Sequence, residues 1–359
     1  MTNGSKIKLL IFIPTLQCGG TEKFVSLFCD HIDTEKFSVC LVVLDNAAPF
    51  YQLKNAQVHL VDLKESRVRY SLFKIRKTIK VYQPDIVFSC ANHLNLYFAI
   101  FRNWFPREIK FLARESSIVS INNQRSTMPW LYNRLLKKYF RRFDFIVCQS
   151  AYMQQDLIQH YHIRENKTQV IYNATEERIP QQLPGNDNKV YKFVTVSRLS
   201  EEKGIERLIH AVGLLMLPFR YYIIGDGDKR ESLQNLINEL ELQDKVFLTG
   251  KKEDPFAGME DADLFLMGSY YEGFPNVLLE AGACGIPVVA FHAPGGIGEI
   301  ITEGENGLLV EDNDLIGFAS AINKAIALNF DRNKIIETTQ KRFSIRAMMK
   351  KLEDLLLQL

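Results

Sequence analysis

The sequence predicts an α/β protein with two doubly wound parallel sheets, each covered by its own helices. Short apolar runs alternate with longer helical patterns along the chain, which is typical of parallel sheets. The polar segment 176–189, with two prolines and a glycine, interrupts this alternation and predicts a linker. A length of 359 residues suits two domains of ordinary size. The predicted domains span residues 1–178 and 190–343.

Each apolar run between helical patterns is a predicted strand, seven before the linker and six after it. The first seven lie near Lys8–Thr15, Ser38–Leu44, His59–Leu63, Asp85–Cys90, Phe111–Arg114, Phe145–Gln149 and Gln169–Tyr172. The other six lie near Phe193–Ser197, Tyr221–Gly225, Lys245–Thr249, Leu264–Met267, Val288–Phe291 and Leu308–Val310. The C-terminal segment 344–359 has a helical pattern.

The net charge of +2 hides an asymmetry between the two halves of the chain. Residues 1–175 contain 24 Lys and Arg against 13 Asp and Glu, whereas the remainder contains 20 against 29. A basic half joined to an acidic half indicates that the N-terminal half alone faces an anionic surface. Membrane phospholipid and nucleic acid both fit this description.

Apolar runs and cysteines bear on where the chain works. No uninterrupted apolar run approaches the roughly 18–20 residues that a membrane helix needs. The six cysteines are scattered and form no C-x-x-C pair. This pattern favours a reduced, cytoplasmic chain without disulfides or a structural zinc.

The most informative motif runs from Glu272 to Val289. It places Glu272 before a helix start and Glu280 in the third turn of that helix, between two predicted buried strands. The open end of such a sheet is the usual ligand crevice. Carboxylates there accept hydrogen bonds from a polyhydroxyl ligand, and free N–H groups at a helix start favour an anion. A polyol joined to a phosphate is a nucleotide sugar, so the motif predicts a nucleotide-sugar site.

The same run resembles the E-x7-E signature of glycosyltransferase family 4, whose members are retaining enzymes with the two-domain GT-B fold. The segment Gly273-Phe274-Pro275-Asn276 between the two glutamates makes the likeness specific. The resemblance implies that Glu272 meets the donor sugar, that Glu280 holds the nucleotide ribose, and that this segment lines the donor pocket. It also implies two Rossmann-like domains facing across a cleft, with the helix near 344–359 packing back on the first domain.

A basic pair follows the first predicted strand of the second half. Arg198 and Lys203 lie beside a helix start, where a guanidinium and an ammonium can converge on a diphosphate. The alternative is a solvated surface pair. The family carries the same S-R-L…K-G pattern, so the resemblance implies that Arg198 and Lys203 neutralise the departing nucleoside diphosphate. Gly225, in a Gly-Asp-Gly turn, resembles the family's turn near the nucleotide base.

Gly19 and Gly20 follow the first predicted strand. Glycines lack the Cβ atoms that keep a ligand away from the backbone. Their spacing does not match G-x-G-x-x-G, which disfavours a nicotinamide cofactor. Family 4 enzymes have a comparable loop near the donor phosphates and the acceptor, although Thr21 stands where a smaller residue is frequent. The alternative is a tight strand–helix turn that needs glycine for structural reasons.

Two further polar residues end predicted strands of the first half. His93 follows Asp85–Cys90 and is a candidate to hydrogen-bond a sugar hydroxyl or polarise the leaving group. Glu115 ends the fifth strand and is a candidate base or acceptor-orienting acid. The alternatives are a histidine satisfied within its loop and an ordinary charged strand end.

Three Asp-x-Asp pairs imitate the metal motif of GT-A transferases. They occupy residues 226–228, 261–263 and 312–314. The middle pair precedes a predicted buried strand and the others lie in turns. The resemblance implies that basic side chains and a helix dipole take the place of a metal. No metal and no cofactor other than the donor are therefore expected.

The segment 130–143 predicts an amphipathic helix with a basic face. Five cations recur at helical spacing opposite leucines and aromatic residues. Such a face suits an anionic membrane surface, and a solvated face of a normal core helix is the alternative. Nucleic acid is the poorer partner because no binding motif accompanies the cations. The cations are Arg134, Lys137, Lys138, Arg141 and Arg142.

Together these features predict a retaining glycosyltransferase that moves a sugar from a nucleotide diphosphate donor, expected to be UDP-linked, to an acceptor hydroxyl. A lipid-linked saccharide in surface polysaccharide or O-antigen assembly, at the inner face of the cell membrane, would account for the basic half. The alternatives are a GT-B relative such as a nucleotide-sugar epimerase and an inactive membrane-associated scaffold.

Overall fold

The computed structural model describes residues 6–124, 128–178, 190–252, 254, 256–257 and 261–359. The chain forms two compact units. The first unit runs to Asn173 and also contains Ile345–Leu359, and the second comprises Ala174–Ser344. Residues 179–189 of the predicted linker lie outside the described residues.

The first unit contains one parallel sheet of seven strands. Their order across the sheet is β3-β2-β1-β4-β5-β6-β7, and every pairing is parallel. The strands are β1 (Ile7–Ile13), β2 (Phe37–Val43), β3 (His59–Asp62), β4 (Ile86–Ser89), β5 (Lys110–Glu115), β6 (Phe145–Cys148) and β7 (Thr168–Val170).

The second unit contains a parallel sheet of six strands. Their order is β10-β9-β8-β11-β12-β13, again with parallel pairing throughout. The strands are β8 (Tyr191–Val196), β9 (Phe219–Ile224), β10 (Val246–Gly250), β11 (Leu264–Met267), β12 (Val288–Phe291) and β13 (Gly307–Val310). All thirteen predicted strands are found, each end within two residues of its prediction, and two doubly wound parallel sheets are confirmed.

Helices connect the strands in both units. The first unit has α1 (Gly20–His31), α2 (Leu72–Tyr82), α3 (Asn92–Phe101), α4 (Val119–Gln124), α5 (Pro129–Tyr139), α6 (Ala151–Tyr161) and the C-terminal α13 (Ile345–Gln358). The second has α7 (Ile205–Gly213), α8 (Arg230–Glu239), α9 (Asn276–Ala283), α10 (Ile297–Ile300), α11 (Leu315–Leu328) and α12 (Arg332–Phe343). No helix among the described residues has both the length and the apolar character needed to cross a membrane.

The central strands are apolar because helices cover both faces of each sheet. In β1 the five residues Leu9–Ile13 are fully buried, and β4, β11 and β12 are buried along their whole length. Such strands give continuous hydrophobic runs in sequence, with no alternation of polar residues. This is why their positions could be predicted closely.

Strand order fixes where a ligand can meet each sheet. In the first unit the order reverses between β1 and β4, and in the second between β8 and β11. Loops leaving neighbouring strands in opposite directions open a crevice at their carboxyl ends, which is the usual ligand position in this architecture. The loops that follow β1, β4, β8 and β11 are therefore the ones to inspect.

The helix α13 belongs to the first unit. It contacts α1, and its Glu353 carboxylate accepts a hydrogen bond of 3.0 Å from the backbone N–H of Asp33. Met348, Leu352 and Leu356 are buried. The polypeptide therefore leaves the first unit after Asn173 and returns to it at Ile345.

Candidate active site

An ion pair lies at the carboxyl ends of β8 and β11. The Nζ atom of Lys203 is 2.6 Å from Oε1 of Glu272, and the hydroxyl of Ser269 donates to the same oxygen at 2.7 Å. The side chains of Lys203 and Glu272 are 18% and 14% exposed, so the pair is shielded but open to a ligand. Lys203 comes from the loop after β8, and Ser269 and Glu272 come from the loop after β11.

Two glycines hold the backbones of these loops together. Gly204 has a φ of +57°, and a Cβ added to it would overlap the carbonyl oxygen of Gly268. A Cβ on Gly268 would likewise overlap the carbonyl oxygen of Gly204. Only glycine permits this approach at a positive φ, so the start of α7 and the end of β11 meet at backbone contact.

The buried guanidinium of Arg207 fastens the loop that leads to Glu272. It donates to the backbone carbonyls of Gly268 and Ser269 at 2.6 and 2.8 Å, and to the carboxylate of Asp312 at 2.6 Å. It also stacks 4.1 Å from the ring centroid of Tyr270. These contacts fix the backbone on which Ser269 and Glu272 lie.

The segment 294–296 supports the other side of the same loop. The backbone N–H of Glu272 donates to the carbonyl of Pro294 at 3.0 Å. Gly296 donates to Gly273, and a Cβ on Gly296 would overlap the ring of Phe274. The missing side chain of Gly296 therefore allows close packing against Phe274 behind the site.

Glu280 lies in the second turn of α9, because that helix begins at Asn276; its prediction in the third turn was wrong. Phe274 and Pro275 are buried immediately before the helix, and Gly273 and Asn276 are partly exposed. The charge of Glu280 acts on Arg178, whose guanidinium pairs with Asp254 at 3.0 Å. Although partial burial works in the opposite direction, these carboxylates hold the pKa of Arg178 above its ordinary value.

Arg198 does not join Lys203 in this structure. Its side chain is 76% exposed and lies 3.2 Å from the carboxylate of Glu202. Gly225 lies against the residue before Arg198, with a φ of +146° and no room for a Cβ against the carbonyl of Ser197. The convergence of Arg198 and Lys203 on one anion therefore stays a prediction, and it requires Arg198 to turn from Glu202.

In the first unit, the glycine pair forms the start of α1. Gly19 is the N-cap and Gly20 the first helical residue, and a Cβ on Gly19 would overlap the carboxylate of Glu22. Burial raises the pKa of Glu22, against the opposing effects of its backbone hydrogen bond, the Arg114 cation and Thr15. The glycines thus make room for a half-buried carboxylate at the end of β1.

His93 lies in the first turn of α3, not in a loop as expected, and its side chain is exposed. The preceding Asn92 is held by Ser117, whose hydroxyl accepts from the Asn92 amide at 2.7 Å. The end of β4 and the end of β5 are joined in this way. A contact between His93 and a sugar stays a prediction.

Glu115 lies inside the first unit, with 1% of its surface exposed. Its carboxylate accepts a hydrogen bond of 2.7 Å from the amide of Asn95. Burial raises its pKa to about 8, with Asn95 and Arg114 opposing this shift. The buried carboxyl of Glu115 therefore links the end of β5 to α3 through Asn95. Direct contact between Glu115 and an acceptor stays a prediction, which this burial does not favour.

The predicted basic helix is shorter than expected. α5 ends at Tyr139, and a 3-10 turn carries the chain through Phe140–Arg142. Arg142 leaves the basic face, because its guanidinium donates to the carbonyls of Ala99 and Ile100 at the end of α3. The remaining cations line an open cavity of about 440 Å³. Its lining residues are Trp130, Asn133, Arg134, Lys137, Lys138 and Arg141.

Aspartates of the three Asp-x-Asp pairs have structural partners. Asp226 accepts from the backbone N–H of Gly227, Asp263 accepts from the backbone N–H of Lys192, Asp312 pairs with Arg207, and Asp314 caps α11. Within the described residues, no cluster of three His, Cys, Asp or Glu side chains could hold a metal ion. The absence of a metal requirement stays a prediction.

Two family models match the chain, one on each side of the unit boundary. Residues 18–177 match the model described as Glycosyltransferase Family 4. Residues 175–342 match the model described as Glycosyl transferases group 1. The chain belongs to glycosyltransferase family 4. It is therefore a transferase enzyme, as the E-x7-E run predicted.

Curated relatives of this family 4 enzyme extend along most of its length. It is 30% identical over 320 residues to N-acetylgalactosamine-N,N'-diacetylbacillosaminyl-diphospho-undecaprenol 4-alpha-N-acetylgalactosaminyltransferase of Campylobacter jejuni, covering 86% of this chain and 87% of the relative. It is 32% identical to the lipopolysaccharide core biosynthesis glycosyltransferase LpsE of Rhizobium meliloti, covering 79% and 77%. The Escherichia coli lipopolysaccharide 1,6-galactosyltransferase is 26% identical, covering 73% and 71%.

Solved structures share the fold of the family 4 enzyme. The Anabaena protein HepE in complex with UDP superposes with a TM-score of 0.82 at 20% identity, covering 98% of this chain and all of that one. The apo lipopolysaccharide outer core galactosyltransferase WaaB gives 0.78 at 18% identity, covering 98% and 99%. The GT-B fold is thereby confirmed.

Sequence reasoning missed three residues that build the site, Ser269, Arg207 and Arg178. Ser269 could have been noticed, because it comes two positions after a predicted buried strand and precedes Glu272 by three positions. Arg207 and Arg178 gave no local signal. Their acceptors lie 61 to 105 and 76 residues away in sequence.

Proposed function

We propose that this family 4 enzyme is a retaining glycosyltransferase that transfers a sugar from a UDP-linked donor to a lipid-linked saccharide, in the assembly of a surface polysaccharide or lipopolysaccharide. The observation that carries the donor side is the Lys203–Glu272 pair, joined by Ser269, at the strand-order reversal of the second sheet. Cation, carboxylate and hydroxyl are the groups that a sugar diphosphate needs.

Each residue of the pair has a separate role in this proposal. The Lys203 ammonium neutralises charge that grows on the leaving diphosphate, and Arg198 turns from Glu202 to do the same. Glu272 accepts hydrogen bonds from the donor sugar, and Glu280 accepts from the ribose. Because Arg207 fixes the loop backbone, Glu272 is held in position before the donor arrives, which lowers the entropic cost of the reaction.

The relatives support the choice of donor and acceptor. The Campylobacter jejuni relative is named for an undecaprenol-diphosphate-linked acceptor, and two others are named for lipopolysaccharide synthesis. HepE was solved with UDP and with UDP-glucose. A lipid-linked acceptor also fits an enzyme whose N-terminal half is basic.

The membrane contact of this proposal is the basic face of α5. Arg134, Lys137, Lys138 and Arg141 are presented beside Trp130 around an open cavity. Basic residues near an anionic leaflet contribute about 1 kcal/mol each. Peripheral attachment at the inner face of the cell membrane is part of this proposal, and the basic face of α5 and the acceptor named for the Campylobacter jejuni relative support it.

The test of the transferase is release of free nucleotide from UDP-, GDP- and ADP-sugars, with and without a lipid-linked acceptor. The UDP-linked donor is expected to turn over, and both Glu272→Ala and Arg198→Ala are expected to lower the rate by a factor of about 100, typical for loss of a charge-stabilising group. Glu206→Gln is the matched control, because Glu206 is exposed on the neighbouring α7. A normal rate in Glu272→Ala would contradict the proposal.

The product separates this activity from a nucleotide-sugar epimerase. A transferase releases nucleotide and forms a glycoside, whereas an epimerase that leaves the nucleotide attached releases none. Retention is read from the anomeric proton of the product by nuclear magnetic resonance. An inverted anomer would contradict the retaining mechanism and leave the transfer itself intact.

A further inference from the structure

The outward face of α2 combines large apolar side chains with cations. Phe73 and Val81 are 78% and 75% exposed, while Ile75 and Ile79 are buried on the inner face of the same helix. Trp104, in the 3-10 turn after α3, is 50% exposed. Single exposed apolar residues are ordinary, but Phe73 and Val81 share the outward face of one helix.

Contacts bring Trp104 to α2. The guanidinium of Arg76 lies 5.9 Å from the ring centroid of Trp104, and Arg76 follows Phe73 by three positions, which places both on one helix face. Trp104 also packs on Phe101 with ring centroids 4.8 Å apart. Phe73, Arg76 and Trp104 therefore present one aromatic and basic surface, here named the α2 surface, with Val81 at its far end.

The α2 surface carries charge of one sign. Residues 66–84 contain six Lys and Arg and no Asp or Glu. Lys74 is engaged by the Leu63 carbonyl and Glu65, whereas Arg67, Lys77 and Lys80 are exposed. Exposed apolar side chains set among cations are complementary to a surface that is anionic outside and apolar within.

The α2 surface and the basic face of α5 both belong to the first unit. The helix α3 contacts α5 and also the 3-10 turn that carries Trp104. Trp104 packs on Phe101 at the C-terminal end of α3. The first unit therefore presents cations on α5 and cations with exposed apolar groups on α2.

We propose that the α2 surface inserts Phe73, Val81 and Trp104 into an anionic lipid bilayer. Cations bring the surface to the headgroups, and aromatic and aliphatic side chains bury beneath them. A nucleic acid would use the cations and leave Phe73 and Val81 in water. This inference rests on the membrane contact of the proposed function and adds that salt-resistant binding comes from α2, whereas α5 supplies attraction that salt screens.

The two tryptophans of the chain, Trp104 and Trp130, allow each surface to be observed alone. Trp130→Phe leaves Trp104 as the sole tryptophan, and Trp104→Phe leaves Trp130 on α5. Each full-length variant is mixed with vesicles of phosphatidylcholine and phosphatidylglycerol, or of phosphatidylcholine alone. With the anionic vesicles, we expect Trp104 emission to shift to the blue and to be quenched by lipids brominated in the acyl chain.

A second measurement uses co-flotation with the same vesicles at low and high salt. Phe73→Ser is expected to weaken binding at high salt by about tenfold, the effect of removing one large buried apolar side chain. Met216→Ser is the matched control, because Met216 is 98% exposed in the second unit. The double variant Lys137→Ala with Lys138→Ala is expected to weaken binding at low salt only.

Each outcome has a definite meaning. If the anionic vesicles bind the protein while Trp104 emission stays unchanged, the insertion of α2 is wrong and the contact through α5 stands. If neither vesicle binds the protein, both membrane proposals are wrong, and nucleotide release still tests the transferase separately. Equal binding to phosphatidylcholine alone would overturn the requirement for an anionic bilayer.

Discussion

Among the described residues, each unit buries one arginine near its strand-order reversal, and the two arginines differ in how many hydrogen bonds they donate. Arg207 in the second unit is 5% exposed and donates through Nε and both terminal nitrogens. Arg114 in the first unit is fully buried, and only one of its nitrogens has a partner among the described residues, the Asn173 side chain at 2.6 Å. Both guanidiniums stack on aromatic rings, Arg114 at 3.8 Å from Phe24.

The number of hydrogen bonds that a buried arginine donates decides how much it contributes to stability. A guanidinium whose donors are satisfied fixes backbone, because each lost bond would leave a buried carbonyl without a partner. Replacing Arg114 would break only one such hydrogen bond, the one to Asn173. Burial lowers the pKa of Arg114 to about 10. We therefore expect Arg207 to matter for stability more than Arg114, although Arg114 is the more deeply buried.

The largest expected effect is that of Arg207→Met. This change removes the N–H groups that donate to the carbonyls of Gly268 and Ser269, and it removes the cation that pairs with Asp312. It should lower the free energy of unfolding by about 3 kcal/mol. Denaturant unfolding measures this loss. Arg220→Met on the exposed side of β9 is the control, with an expected change within about 0.5 kcal/mol. If both variants lost the same free energy of unfolding, the hydrogen bonds of Arg207 would contribute no more to stability than an exposed arginine does.

The next effect concerns the carboxyl of Glu115 beside Arg114. Its pKa is raised by burial to about 8, so the protonated form is favoured in the folded protein. The stability that it contributes is complete below its ordinary pKa of 4.5 and is lost as pH rises through about 8. Groups that act on it are Asn95, Arg114 and Asp156.

Glu115→Gln cannot titrate, so it isolates this contribution. From about pH 6 to about pH 8, the wild-type protein should lose about 2 kcal/mol relative to the variant. Thermal unfolding of both proteins across this range measures the difference. Parallel curves would mean that the Arg114 cation keeps Glu115 ionised throughout, which would make the two neighbours a true ion pair.

The smallest expected effect is that of Arg114→Met. Methionine fills a similar volume and keeps a favourable contact with the ring of Phe24, and replacing a poorly satisfied buried charge by an apolar group is often nearly neutral. We expect a change within about 1 kcal/mol by denaturant unfolding. If Arg114→Met lowered the free energy of unfolding as much as Arg207→Met, the two arginines would contribute equally to stability.

These arginines also mark the limit of what the sequence could predict. Strand positions were predictable, because a strand that is buried on both faces needs apolar residues at successive positions. The order of charges around Glu272 was predictable only in part. Lys203 was assigned to a phosphate, and the structure shows that it also pairs with Glu272.

What could not be predicted depends on partners far apart in the chain. Arg207 lies on a helix face next to Leu208 and resembles an ordinary surface arginine in sequence, yet its acceptors come from two other loops, those after β11 and β13. Glu115 reads as a charged strand end, and only the packing of α3 shows that Asn95 covers it. Arg142 has the right spacing for the basic face and is drawn away by two carbonyls of α3.

The return of α13 to the first unit makes the second unit an insertion in chain terms. Its two ends are neighbours, because the backbone N–H of Thr175 donates to the carbonyl of Phe343 at 3.0 Å and Thr175 bridges to Ser344. All residues of the second unit, 174–344, are therefore translated before α13. The first unit can complete its fold only after α13 has been translated. A chain that stops after Ser344 would leave the α1 side of the first unit uncovered, while the second unit would already be whole.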